Sequence, residues 1–201
     1  MNESPEIYTI AKECTGQYKE RGSRFLAFGY PVTNEDSVKQ ILKNLRKEYH
    51  DARHHCYAYR LGTVNISFRS NDDGEPSGTG GKPILGQLIS KNLSNVLLVV
   101  VRYFGGKLLG TSGLINAYRS ATADCLSNAE IYILKEMVHA EIRFTYEQMN
   151  GIIRILNEVS AIIESQTFSE SCQLMVSIDK KKYQSVYQRL TSLKDVTVTT
   201  L

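Results

Sequence analysis

The chain has 201 residues, of which 42% are apolar and 22% charged, and its formal net charge is +3. This composition excludes an intrinsically disordered chain and leaves room for one large or two small hydrophobic cores. The small excess of positive charge permits nucleic-acid binding without predicting it.

Apolar patterns in the first two thirds of the chain predict strands and helices in mixed order. Strands are expected at residues 7–14, 24–30, 54–62, 65–70 and 95–101, with a polar turn at 15–23. Helices are expected at 38–49, 84–93 and 112–128. Thr33 and Asp36 have the spacing of a capping box before the first helix. The uninterrupted β-branched run at 95–101 predicts a central strand buried on both faces.

The last third of the chain predicts a second, smaller unit. Strands are expected at residues 137–145, 160–168, 172–179 and 196–201, and the helices carry the apolar faces 152–159 and 183–193. Thr145 and Gln148 form another capping box, and Asp179 can cap the last helix. The resulting order β-α-β-β-α-β is the split-βαβ, or ferredoxin-like, arrangement.

The start of the chain lacks the basic and apolar regions of a signal peptide. The longest apolar run, residues 96–101, is far too short to cross a membrane. We therefore expect a cytoplasmic protein whose four scattered cysteines are reduced and structural.

Residues 71–83, with the sequence NDDGEPSGTGGKP, are rich in acidic residues and glycine. The three carboxylates could bind a divalent cation, but their spacing fits no EF-hand, so a solvated acidic turn is favoured. A P-loop is excluded because Pro83 follows Gly81 and Lys82. The adjacent histidines 54 and 55 should point to opposite faces of a strand and specify no catalytic triad. We expect no catalytic residue, metal or cofactor.

Residues 102–113, with the sequence RYFGGKLLGTSG, follow the predicted central strand and lead into a helix N-terminus. Glycines let a backbone approach a ligand, and free amide groups there favour an anion, with Arg102 and Lys107 adding positive charge. Alternatively, the glycines form the turn and Arg102 pairs with Asp72 or Asp73. The two interpretations are compatible. The basic turn at 19–25 could belong to the same surface.

Four segments together resemble the signature of the IMPACT/YigZ family: RFLAFGYPV, RHHCYAYRLG, NDDGEPSGTGGKPIL and VVVRYFGGKLLGTSGLINAYRSA. The resemblance implies an α+β chain of two domains. Residues 1–132 would form an IMPACT (UPF0029) domain with the ribosomal protein S5 domain 2-like fold. Residues 133–201 would form the ferredoxin-like DUF1949 domain of bacterial members. Eukaryotic relatives regulate translation. Asn116 stands where the family often has arginine, and Arg119 lies one helical turn later.

We therefore hypothesise a non-enzymatic, monomeric binding protein, associated with RNA or the ribosome and linked to translation or its regulation. The residues expected to contact nucleic acid or another anion are Arg21, Arg24, His54, His55, Arg102, Lys107, Gly110, Thr111, Ser112, Gly113 and Arg119. The residues expected to order the neighbouring loop are Asp72, Asp73, Glu75, Gly78 and Thr79.

Two other classes of function stay open at the level of sequence. One is an enzyme that acts on a small phosphorylated or carboxylated substrate in a cleft between the loops 71–83 and 102–113. The other is a module whose loops bind a protein partner.

Overall fold

The computed structural model describes residues 6–168 and 172–201, which form five α-helices and three β-sheets. The chain divides into two units, Met1–Leu134 and Lys135–Leu201.

The first unit contains seven strands and three helices. In chain order they are β1 (Tyr8–Ile10), β2 (Cys14–Glu20), β3 (Ser23–Pro31), α1 (Glu35–Glu48), β4 (His54–Leu61), β5 (Ser67–Asn71), α2 (Gly81–Ser90), β6 (Val96–Tyr103), α3 (Gly110–Ser127) and β7 (Ile131–Ile133). Strands β1 and β7 pair with each other, and the other five form an antiparallel sheet in the order β2-β3-β6-β4-β5.

Helices cover both faces of the five-stranded sheet. Leu97 and Val99 of β6 pack with α1, whereas Leu98 and Val100 pack with α2 and α3. Every residue of β6 except Tyr103 is buried, which confirms the predicted central strand. Because side chains alternate along a strand, one apolar run fills both cores.

Three local predictions in this unit are wrong. The expected strand 7–14 is interrupted, because β1 ends at Ile10, the chain bends at residues 11–12 and Cys14 already begins β2. The expected polar turn at 15–23 is mostly strand β2, and the chain turns only at Arg21 and Gly22, both with positive φ. An edge strand leaves one side in water, so its polar residues resemble a turn. The N-cap of α1 is Asn34 rather than Thr33, since its side chain accepts a 2.9 Å hydrogen bond from the Ser37 amide.

The second unit has the predicted element order. Its elements are β8 (Met137–Phe144), α4 (Met149–Glu158), β9 (Ile162–Phe168), β10 (Cys172–Asp179), α5 (Lys180–Thr191) and β11 (Thr197–Thr200). The four strands form an antiparallel sheet in the order β11-β8-β10-β9. One face of the sheet packs on α4 and α5, and residues such as Ile142, Leu156 and Val186 form the core between them.

The caps of the two helices in this unit differ from each other. Asp179 caps α5 by accepting a hydrogen bond from the Lys181 amide at 3.0 Å, as predicted. The expected Thr145 cap is absent because a short 3-10 turn, Tyr146–Gln148, precedes α4 and the Thr145 side chain makes no capping bond. Among the described residues, no helix combines the length and apolar character required to span a bilayer.

Candidate functional site

Residues 71–83 fold around the carboxylate of Asp72, at the N-terminus of α2. One carboxylate oxygen accepts hydrogen bonds from the amides of Gly80 and Gly81 at 2.9 and 2.8 Å, and the other accepts from Gly78 at 2.8 Å. Burial raises the pKa of Asp72, but these three donors outweigh it, so the pKa lies below its usual value. The amides of the glycine-rich loop therefore already bind an anion that belongs to the protein, the Asp72 carboxylate.

Asp73 joins this loop to β4 and α1. Its carboxylate accepts hydrogen bonds from the His55 amide at 2.7 Å and from the Arg46 guanidinium at 2.6 Å. Burial raises the pKa of Asp73, and the Arg46 and His55 donors lower it further than burial raises it. The Asp73 carbonyl oxygen also lies 2.8 Å from Nδ1 of His54. Both oxygens of the Asp73 carboxylate therefore accept hydrogen bonds from the protein itself.

Glu75 is buried and joins the loop to the end of β6. Its Oε1 accepts hydrogen bonds from Arg102 at 2.6 Å and from the Tyr118 hydroxyl at 2.8 Å. The guanidinium of Arg102 lies 5.4 and 5.7 Å from the ring centroids of Phe25 and Phe104, within cation–π range. The two loops thus meet through one buried ion pair.

This geometry corrects three predictions. Arg102 pairs with Glu75 rather than with Asp72 or Asp73, and it is buried, so it cannot face a phosphate. The acidic segment is not a solvated turn, because Glu75 is buried and the two aspartates receive internal donors. Thr79 is also buried and donates a 2.6 Å hydrogen bond to the Pro76 carbonyl.

The two histidines lie on opposite faces of β4, as predicted. His55 is buried on the α1 side of the sheet, so the prediction that it contacts an anion is wrong. Burial lowers its pKa, and the charge of Arg46 lowers it further. His54 is half-buried beside Gly74 of the loop, with Nδ1 engaged by the Asp73 carbonyl.

The turn between β2 and β3 packs directly against the loop that follows β6. A Cβ atom on Gly105 would overlap with the backbone of Gly22, so only glycine allows this approach. The Gly105 amide also donates a 3.1 Å hydrogen bond to the Ser23 hydroxyl. Two segments that are about 80 residues apart in the chain therefore share one edge of the unit.

The exposed cations along this edge include Arg21, Arg24 and Lys107, and Lys19 is exposed opposite Arg24 on β2. Arg24 is paired in register with Tyr103, and its guanidinium carbon lies 6.0 Å from the ring centroid. Arg21 has a single exposed contact, 3.7 Å from Glu20, which contributes little in water. Within the described residues, Arg24 and Lys107 have no carboxylate within salt-bridge distance. We call Arg21, Arg24, Lys107 and residues 110–113 the basic edge.

The first turn of α3 completes the basic edge. Gly110, Thr111 and Ser112 are exposed, and the N-cap residue Leu109 supplies no side-chain acceptor. The first amides of an α-helix have no partner within the helix, and the helix dipole favours an anion beside them. The predicted residues Gly110 to Gly113 therefore present amide donors that no side chain of the described residues caps. In α2, by contrast, the Asp72 carboxylate already accepts hydrogen bonds from the amides at the helix N-terminus.

Arg119 lies away from this turn, in a groove between α2 and α3 with a volume of about 360 Å³. Lys82 lies on the other side of the groove, and Pro83 and Ile115 contribute apolar surface. Sequence reasoning missed Lys82, because the helix was expected to begin at residue 84 and α2 begins at Gly81. The sequence signal for Lys82 is the Gly-Lys-Pro triplet at residues 81–83, which was compared only with the P-loop pattern.

Among the residues that the structure describes, no carboxylate lines this groove. Within residues 6–168 and 172–201, no three histidine, cysteine, aspartate or glutamate side chains are grouped so that they could hold a metal ion. The arrangement supports binding of an anionic group at two places, the basic edge and the groove, with internal carboxylates that shape the loops beside them.

Comparisons with known proteins support the family that the signature segments indicate. The family model for the Impact N-terminal domain matches residues 21–126. The chain is 33% identical to the IMPACT family member YigZ of Escherichia coli over 162 residues, which cover 80% of this chain and 79% of YigZ.

Among solved structures, the crystal structure of a hypothetical protein aligns over 98% of both chains, with 28% identity and a TM-score of 0.67. The two-domain translational regulator Yih1 aligns over 64% of this chain and 50% of its own, at 26% identity and a TM-score of only 0.39. The family model and the extended match to YigZ are decisive, and the chain belongs to the IMPACT family.

Proposed function

We propose that this chain is a non-enzymatic, monomeric binding protein of the cytoplasm that associates with RNA or a ribosomal surface and acts in translation or its regulation. Family membership supports the link to translation. The observation that carries the binding proposal is the basic edge, where exposed cations lie beside an uncapped helix N-terminus. Phosphate groups match both kinds of donor.

One buried salt bridge and the hydrogen bonds to Asp72 narrow this proposal to fewer residues than the sequence did. Arg102 is neutralised by Glu75, and the α2 amides are occupied by Asp72. The phosphate contacts are therefore assigned to Arg21, Arg24 and Lys107, with the first amides of α3. Lys82 of α2 and Arg119 of α3, which lie in the groove, are assigned to a second anionic contact.

We propose further that residues 1–132 have the ribosomal protein S5 domain 2-like fold and that residues 133–201 are a ferredoxin-like DUF1949 domain. The element order and the strand order β11-β8-β10-β9 support the second assignment. The open face of that sheet carries His139, Arg143 and Gln173 rather than aromatic side chains. Base stacking on this face is therefore not expected.

Salt dependence tests the proposal most directly. Each phosphate contact with single-stranded RNA contributes roughly −0.7 to the slope of log K against log salt, so three cations predict a slope of about −2. The measurement is fluorescence anisotropy of a labelled single-stranded RNA across a salt series, together with co-sedimentation with ribosomal subunits. Absence of binding to both, or binding insensitive to salt, would contradict the proposal.

A charge-matched pair of variants locates the surface. Arg24→Glu with Lys107→Glu should abolish most of the binding and reduce the slope. Lys43→Glu with Lys47→Glu changes the net charge equally but lies on α1, on the other face of the sheet. If both double variants weaken binding to the same extent, the effect is one of total charge and the basic edge is the wrong site.

A protein partner is the second candidate, because the loop before α3 exposes two large apolar side chains. Leu108 is 83% exposed and Phe104 is 51% exposed, on either side of Lys107. Exposed apolar groups beside charge are typical of protein interfaces. Association with ribosomal fractions that survives nuclease treatment and is lost in Leu108→Ser would favour this candidate over RNA.

The geometry gives little support to the enzyme alternative. Asp72 and Asp73 already accept hydrogen bonds from amides or a guanidinium, and Glu75 is paired with Arg102. Carboxylates stabilised in their charged form by fixed donors are weak general bases. Asp73→Asn should therefore act on stability rather than on turnover.

A further inference from the structure

Two cysteines far apart in the chain have their sulfur atoms in contact. Cys14 at the start of β2 and Cys125 in α3 are separated by 111 positions, and their Sγ atoms lie 3.4 Å apart. The other two thiols are placed differently. Cys56 donates to the Asp72 carbonyl at 2.9 Å, and Cys172 belongs to the second unit.

Glycine residues make this contact possible. A Cβ atom on Gly16 would overlap with the Cys125 backbone, so β2 and α3 approach each other backbone to backbone. A Cβ atom on Gly29, which pairs with Cys14 across the strands, would lie 2.6 Å from the Cys14 sulfur. The S–S bond of a disulfide is about 2.05 Å, so the sulfurs need to approach by roughly 1.4 Å.

The two thiols differ in their exposure to solvent and in their acidity. Cys14 is 6% exposed, in the edge strand and next to the exposed residues 11–13, whereas Cys125 is fully buried. The hydrogen bond with Cys125 stabilises the Cys14 thiolate and lowers the pKa of Cys14, against the effect of burial. Both thiols are buried, but Cys14 is the less buried of the two, so it is the sulfur expected to react first with an oxidant, and Cys125 is placed to react with it afterwards.

We propose that Cys14 and Cys125 form an oxidisable dithiol, which peroxide converts into a reversible intramolecular disulfide. The Cys14 thiolate attacks one oxygen of hydrogen peroxide, the O–O bond breaks, and a sulfenic acid and hydroxide form. The Cys125 sulfur then attacks the Cys14 sulfur, the S–O bond breaks, and water leaves. Two thiols and one peroxide yield one disulfide and two waters.

The reverse reaction is thiol–disulfide exchange with a dithiol reductant, which is itself oxidised to a disulfide. The bond would tie the edge strand β2 to α3 and close most of the first unit into a single covalent loop. The oxidised protein should therefore unfold at a higher denaturant concentration than the reduced protein. This inference is independent of the proposed association with RNA.

The test uses the full, fully reduced chain, treated with a small excess of hydrogen peroxide under native conditions. Free thiols are counted with a chromogenic reagent after denaturation, and linked peptides are identified by mass spectrometry without reduction. We expect a monomer that has lost the mass of two hydrogen atoms, with one Cys14–Cys125 linked peptide. Cys56 and Cys172 should stay free, and a dithiol reductant should restore all four thiols.

Retention of all four thiols, a different pairing, or oxidation of Cys14 to sulfinic acid without a disulfide would overturn the proposal. A second variant tests the order of the steps. In Cys125→Ala the Cys14 sulfenic acid has no resolving thiol, so a sulfenic-acid-specific nucleophile should label Cys14. Equal labelling of Cys14 in the wild-type protein would contradict a resolving role for Cys125.

Discussion

Replacing Glu75 with glutamine tests the buried ion pair that joins the two glycine-rich loops. The Glu75 and Arg102 side chains are 3% and 7% exposed, so neither charge is solvated in the folded protein. Glu75→Gln keeps the shape and an acceptor for Tyr118, but it leaves the guanidinium charge without a counter-ion. Breaking one partner of a buried pair costs about 3–5 kcal/mol, and the retained acceptor places the expected cost near 3 kcal/mol.

That cost is measurable by urea denaturation followed by circular dichroism. With a denaturant slope of about 2 kcal/mol/M, the transition of the first unit should move down by about 1.5 M. Hydrogen exchange of amides in β8 and β10 supplies an internal reference, because these strands belong to the second unit. Their protection against local opening should not change.

The matched control removes the whole cluster. In the triple variant Glu75→Leu, Arg102→Met, Tyr118→Phe no buried charge or hydroxyl is left unpaired, and apolar replacement of a buried ion pair is often neutral. We expect this variant to recover most of the stability that Glu75→Gln loses. A loss below about 1 kcal/mol for Glu75→Gln, or a triple variant as unstable as the single one, would refute the reasoning.

Three further predictions concern the same unit. Asp72→Asn should cost about 2 kcal/mol at pH 7 because it removes a charged acceptor of three amides. The folded-state pKa of Asp72 is lowered, so its contribution is present above its unfolded pKa of about 3.9 and is lost as pH falls through the lower folded value. Urea midpoints of wild type and variant should therefore converge in acid. The pKa of His55 is also lowered, so the unfolded chain takes up its proton first, and wild-type stability should fall as pH drops below about 6.5. Thermal unfolding of His55→Phe should lack that slope, and an unchanged pH profile would exclude His55 as its source. Gly105→Ala should cost about 3 kcal/mol through overlap with Gly22. Gly106→Ala, with no atom near its Cβ and a φ of +82°, should cost about 1 kcal/mol, and equal losses in calorimetry would contradict the packing argument.

The sequence by itself determined several of the features that depend on neighbouring residues. The run at 95–101 predicted a doubly buried strand, and the pattern after residue 133 predicted the order β-α-β-β-α-β. Asp179 was recognised as a cap because its partner amide is two positions away. Side-chain periodicity shows which side of an element is buried, and it does so without knowledge of the rest of the fold.

The tertiary structure decided which distant residues meet. Arg102 pairs with Glu75 across 27 positions, and Cys14 meets Cys125 across 111. Local sequence offered Asp72 or Asp73 as the partner of Arg102 and missed Glu75, because the choice depends on how the loop turns around the α2 amides. Strand β2 was missed for a related reason, since its pairing with β3 and its packing on α3 outweigh its polar composition. Contacts between distant residues depend on the path of the whole chain, which only the assembled sheet and helices define.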